Sequence, residues 1–175
     1  MTAAGELKSE YEALCKKLGV SGVSSTDRAR YYSSLCRKRR LSSDEQAAIR
    51  LALELESEEV RWGARAALSR HPDPGATRLV LLMTRSALPG ARGFGAHAGR
   101  EILDAVRTLG AVGPALPLLH DEIIAVLESL RERAAYPALD RSGGAHEAAP
   151  TLRAEADKAL RRLVQPRTPG TSPIR

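Results

Sequence analysis

Three stretches of this chain superpose without gaps: VRWGARAAL at 60–68, AGREILDAV at 98–106 and LRAEADKAL at 152–160. Their apolar positions coincide. Val60, Ala64, Ala67 and Leu68 match Ala98, Ile102, Ala105 and Val106, and then Leu152, Ala156, Ala159 and Leu160. The first and third copies share [VL]-R-x-x-A-x-x-A-L in full, and the middle copy keeps the apolar frame alone. This spacing places the apolar residues along one side of a helix. Each copy follows another helical pattern, so the unit is a helical hairpin. One hairpin cannot bury both of its apolar faces, and stacking hairpins side by side does so. The expected fold class is therefore all-α, a short α-solenoid of about eight helices.

The rest of the chain agrees with that class. Aromatic residues make up 3% of the 175 residues, with a single Phe, where large β-rich cores draw on more. Ala, Leu, Arg and Glu, which are good helix formers, dominate. Leu7, Tyr11, Leu14, Cys15 and Leu18 mark a first helix over 3–18. Asp27 is the expected cap of a second helix, which carries Ala29, Tyr32, Leu35 and Cys36 on one side. SSDE at 42–45 reads as a capping start for a third, over 44–56. A fourth spans 58–70 and is stopped by HPDPG, a fifth spans 76–88, and PGARGFG is a loop. A sixth contains HAGREILDAVRTLG, with Gly110 as its C-terminal stop. A seventh begins near Pro114 and runs to 135, and an eighth spans 151–164 after the loop RSGGAHEAAP. Three prolines and no apolar periodicity predict a disordered tail at 165–175. The expected organisation is an N-terminal hairpin cap over 1–42, stacked repeats over 43–164, and the tail.

The repeat resembles HEAT repeats, whose second helix often carries V-R-x-x-A-x-x-A-L. Arg61 and Arg153 match the arginine of that motif, and the resemblance covers roughly 43–164. It implies that the second helix of each hairpin lines a concave surface. At 100° per residue, Trp62 lies about 200° from Val60, almost opposite the apolar stripe. Its counterparts Arg100 and Ala154 are not core choices either. The resemblance thus implies a concave face bearing Trp62, Arg65 and Ser69, then Arg100, Leu103, Asp104 and Arg107, then Asp157, Lys158, Arg161 and Arg162. A Trp among arginines matches what protein interfaces enrich, and the alternative is a Trp62 laid across a neighbouring hairpin beside a merely solvated Arg65. The expected function is a non-catalytic protein-binding module: an adaptor, a regulatory subunit or an immunity-type inhibitor. The candidate contact residues are Trp62, Arg65, Arg100, Leu103, Arg107 and Arg161. Net charge is +6, so the expected partner is a protein with an acidic surface.

Two other chemistries compete. CRKRRL supplies Arg37, Lys38, Arg39 and Arg40 as a candidate anion-binding patch, with Arg28 and Arg30 preceding it. That run suits nucleic acid as an alternative partner. It equally suits a cationic helix end complementing the helix dipole. His97 with His120-Asp121 is similar to the H…HD…D arrangement of HD-type metal phosphohydrolases, with Asp140 or Asp157 as the last ligand. Pro114 and Pro117 crowd the pair, and Glu122-Ile123 replaces the Gly-Lys that often follows it. H-E-x-x-H, C-x-x-C, G-x-S-x-G and G-x-x-x-x-G-K are all absent. No cofactor, metal or small-molecule substrate is therefore expected. No run of 18 apolar residues predicts a membrane span, and the N-terminus lacks an apolar leader core, so a cytoplasmic location is expected. Cys15 and Cys36 read as core thiols, not as a disulfide framework.

Overall fold

The structure, a computed structural model, describes residues 3–87, 96–133 and 145–164. The loop at 89–95, Asp140 and the tail expected at 165–175 lie outside the described residues. Eight α-helices follow in order: α1 (Ala3–Lys17), α2 (Ser25–Leu35), α3 (Ser43–Leu55), α4 (Glu58–Arg70), α5 (Pro74–Ala87), α6 (Ala96–Val112), α7 (His120–Arg133) and α8 (Ala145–Val164). Two 3-10 turns, Gly113–Ala115 and Pro117–Leu119, link α6 to α7. The described residues contain no strand.

The helices alternate between two layers. α2 packs on α4, α4 on α6 and α6 on α8, while α1 packs on α3, α3 on α5 and α5 on α7. The contacts α3–α4, α5–α6 and α7–α8 join the layers. Each helix thus meets its neighbour in the chain and the helix two further on, which is the contact pattern of an α-solenoid. α2 is part of the stack and meets α4 as α4 meets α6. The core lies between the layers. It is built of the repeat's own apolar frame, with Val60, Ala64, Ala67 and Leu68 fully buried together with Ala156 and Val106. Small residues let helices of one layer approach closely. A Cβ on Gly63 would overlap the backbone of Ala29 in α2, and one on Gly110 would stand 2.6 Å from the Ala159 Cβ in α8.

Several helix ends fall elsewhere than the sequence suggested. α2 is capped by Ser24, not Asp27: the Ser24 hydroxyl accepts from the Asp27 N–H at 3.1 Å and donates to its carboxylate at 2.7 Å. Asp27 sits in the first turn, where a negative charge complements the helix dipole. The capping box of α3 is as expected, Ser42 and Glu45 each holding the other's N–H. α5 begins at Pro74, with Asp73 Oδ1 accepting from the Ala76 N–H at 2.7 Å. The proline that ends one helix's reach opens the next, since N1 needs no donor. Gly110 is not a stop. α6 runs through it to Val112, because a bare Cα is needed there against Ala159. The two 3-10 turns hold Pro114 and Pro117, so α7 starts only at His120. α8 starts at Ala145, inside the stretch expected as a loop.

Candidate functional site

The geometry of α4 fixes what each of its sides meets. Gly63, about 300° from Val60, touches α2, whereas Arg61 and Arg65, at about 100° and 140°, reach α6. Val60 and its stripe face the odd-numbered layer. The direction left over is near 200°, where Trp62 stands, 52% exposed. Trp62 therefore points straight out of the even-numbered layer.

The repeat register carries that direction to the other even helices. Positions equivalent to Trp62 are Arg100 in α6 and Ala154 in α8, both exposed. In α2, Tyr32 and Leu35 occupy the places of Ala64 and Ala67, and Ala29 meets Gly63 across the interface. That register puts Arg30 in the Trp62 row, with its side chain 77% exposed and its guanidinium 3.5 Å from the exposed carboxylate of Asp27. A second row, one to two turns further on, holds Ser69, Arg107 and Arg161, with Arg37 in the turn continuing α2. Between the rows stand Ser34, Ala66, Asp104 and Lys158. The rows of this face thus carry the cations Arg30, Arg100, Arg107, Lys158 and Arg161 against the acid Asp104, and Glu58, at about 160° and one turn before Trp62, adds a second acid. Ser and Ala keep the floor low around Trp62. Asp27 and Glu59 are exposed at the N-terminal rim of these helices.

Arg65 does not belong to the exposed set. It is 3% exposed, with Nε 2.6 Å from Asp104 Oδ2 and Nη1 3.3 Å from Glu101 Oε1. Arg61 binds the same Glu101 oxygen at 2.7 Å and donates to the Glu56 carbonyl at 2.7 Å. The expected contact residue is therefore a clamp between α4 and α6. The physical reason is its angle: about 140° turns the side chain toward the next helix, where two carboxylates wait. Burial pushes the Glu101 carboxyl up, but hydrogen bonding and charge from Arg61 and then Arg65 outweigh it and hold the group below the usual carboxylate range. The pattern recurs at the next interface, where Arg107 reaches Glu155 at 3.3 Å. Leu103 is partly buried against the core, so it offers only an edge to the face.

The basic run divides. Lys38 is committed to Glu45, with Nζ 2.5 Å from Oε1. Burial raises the Glu45 carboxyl, and Lys38 together with the Ser42 N–H lowers it further than burial raises it. Arg37, Arg39 and Arg40 are exposed in the turn after α2. Arg28 turns inward to Glu56, in the place that Val60 occupies in the next hairpin. The C-terminal ends of α2 and α4 are tied by His71 Nε2, 3.1 Å from the Leu35 carbonyl. Cys15 is buried and Cys36 partly buried, and both are free thiols. Burial pushes the Cys15 thiol up, which keeps it protonated and unreactive.

The histidines do not converge. His97 lies in the first turn of α6, while His120 opens α7 beyond the far end of that helix. The 15 residues from His97 to Val112 span about 22 Å. His120 Nε2 meets the Leu163 carbonyl at 3.2 Å, and Asp157 faces Arg131 at 3.9 Å. Among the described residues no group of three or more His, Cys, Asp or Glu is placed to hold a metal ion. A cavity of about 70 Å³ lies behind the Arg65 clamp, lined by Val80, Met83, Thr84, Glu101, Ile102 and Ala105. Ligand pockets are several times larger, so it has room for water and not for a substrate. No helix among the described residues is long and apolar enough to cross a membrane. No protein-family model matches the chain, and comparisons with curated proteins and with solved structures gave no match.

Proposed function

We propose that this chain is a HEAT-like binding module that holds an acidic protein partner on the concave face of its even-numbered helices. The observation that carries the reading is the composition of that face. Five helical cations stand against two acids, Asp104 and Glu58, around the chain's only Trp, which is half exposed. Between α4 and α6, Arg61 and Arg65 are consumed by carboxylates. On the face the cations are exposed and their pairs longer, Arg30 with Asp27 at 3.5 Å, Arg107 with Glu155 at 3.3 Å and Lys158 with Glu155 at 3.9 Å, so a partner's carboxylates can replace them at little cost. Exposed Trp and Arg are the residue types that dominate binding energy when a partner desolvates them. The role is adaptor, regulatory subunit or inhibitor, acting by complementary shape and charge and not by catalysis.

The test is binding of fluorescently labelled polyglutamate, read by anisotropy against an oligodeoxythymidylate of equal charge. Polyglutamate should bind, and Arg100→Glu with Arg107→Glu should abolish binding while the helical circular dichroism is kept. A nucleic acid preference, with a steep salt dependence that follows Arg37, Arg39 and Arg40, would replace the reading with the nucleic-acid one.

A further inference from the structure

The row Arg30, Trp62, Arg100 has a spacing as well as a composition. Packed helices lie about 8–10 Å apart, so the row sets cation, indole and cation at steps of about 9 Å. The middle helix adds no cation to the face. Trp62, Ala66 and Ser69 occupy its outward positions, while Arg61 and Arg65 are turned to α6. A single-stranded nucleic acid can stack a base on such an indole while its phosphates meet the cations, which makes oligodeoxythymidylate the competing ligand of the test below. A polypeptide can place charge and apolar surface at chosen intervals.

Chain geometry then selects the conformation. A β-strand sends residues three apart to opposite sides. A polyproline-II helix has three residues per turn and a rise of 3.1 Å, so every third side chain falls on one side, about 9.3 Å from the last. That step is the step between neighbouring helices of the layer. We infer that the face reads a polyproline-II segment crossing α2, α4 and α6, with an apolar side chain on Trp62 and an acidic one three residues to either side, on Arg30 and Arg100. The inference rests on the acidic-partner reading above and adds the conformation and register of the partner's segment. The small floor residues Ser34 and Ala66 leave room for its backbone, and the flat indole suits the apolar face of proline rings.

Trp62 is the chain's single Trp, so its fluorescence reports this site alone. The probe is the blocked peptide Glu-Pro-Pro-Leu-Pro-Pro-Glu. A saturable blue shift of Trp62 emission is expected. Replacing the central Leu with Ser, or adding one Pro on each side of it, should weaken binding about tenfold, the second by turning the acids about 120° out of line. Arg30→Ala and Arg100→Ala should each weaken the parent peptide about fivefold. Equal binding of all three peptides, or binding of polyglutamate but not of the parent peptide, overturns the register and leaves the acidic-partner reading standing. Silence of Trp62 toward the peptides and toward polyglutamate overturns both. So does tighter binding of oligodeoxythymidylate than of the parent peptide at equal salt.

Discussion

Replacing Arg65 with Ala separates a stack-holding residue from a partner-binding one. Arg65 is 3% exposed and holds Asp104 and Glu101, whose side chains are 25% and 26% exposed. Breaking a fully buried pair costs about 3–5 kcal/mol, because the remaining charge is left without a partner. Here the carboxylates still see some water, and Glu101 keeps Arg61, so the expected loss is about 2–3 kcal/mol. For a chain of this length that corresponds to about 5–10 °C in Tm. Urea unfolding followed by circular dichroism measures it, provided the transition is two-state. The double change Arg65→Met with Asp104→Leu should recover much of the loss, since a packed apolar pair replaces an ion pair at little cost. A loss below about 0.5 kcal/mol for Arg65→Ala would refute the reasoning, because that is the scale of a solvated surface residue.

Other outcomes follow from the same geometry. Gly63→Ala should destabilise by about 1–3 kcal/mol despite the better helix propensity of Ala, because the new Cβ meets the Ala29 backbone, and Ala29→Gly should not rescue it. Gly110→Ala should instead be partly rescued by Ala159→Gly, since there the nearest atom is a Cβ, and thermal melts of the two pairs compare the cases. Glu101 has its folded-state pKa depressed, so its contribution to stability is present above the unfolded carboxylate value and is lost as pH falls through the folded one. The stability gap between the native chain and Glu101→Gln should therefore be full at neutral pH and shrink below about pH 4 in urea titrations. Trp62→Ala should cost less than about 1 kcal/mol of stability, since half of the side chain is already in water, while weakening an acidic ligand by more than that.

The architecture was legible because the repeat frame is written in residues whose only common property is size and apolarity at helical spacing. Val60, Ala64, Ala67 and Leu68 could be placed inside, and Trp62 off their stripe, by angle alone, whereas its exposure is legible only from the structure, because angle does not tell an open side chain from one laid across a neighbouring hairpin. Arg65 was misread because its angle lies on the border between the open face and the neighbouring helix. The signal that would have placed it is on the next copy: Glu101 and Asp104 stand on the side of α6 that faces α4. Arg30 was missed as a face residue because α2 lacks the motif. Arg28 stands where Val60 would be, and the register is set by the burial of Tyr32 and Leu35 together with the Ala29–Gly63 contact. Gly110 reads as a helix stop in the sequence because Gly serves both ends and close approaches, and Ala159 opposite it is 49 residues away.

The most direct test of the central claim is acrylamide quenching of Trp62 with and without saturating labelled polyglutamate, binding being confirmed by anisotropy in the same sample. The face described here predicts that the half-exposed indole is quenched readily in the free chain and shielded when the acidic polymer is bound. It also predicts that shielding and binding disappear together in the Arg100→Glu, Arg107→Glu chain. Binding that leaves Trp62 as open to acrylamide as before would contradict the claim.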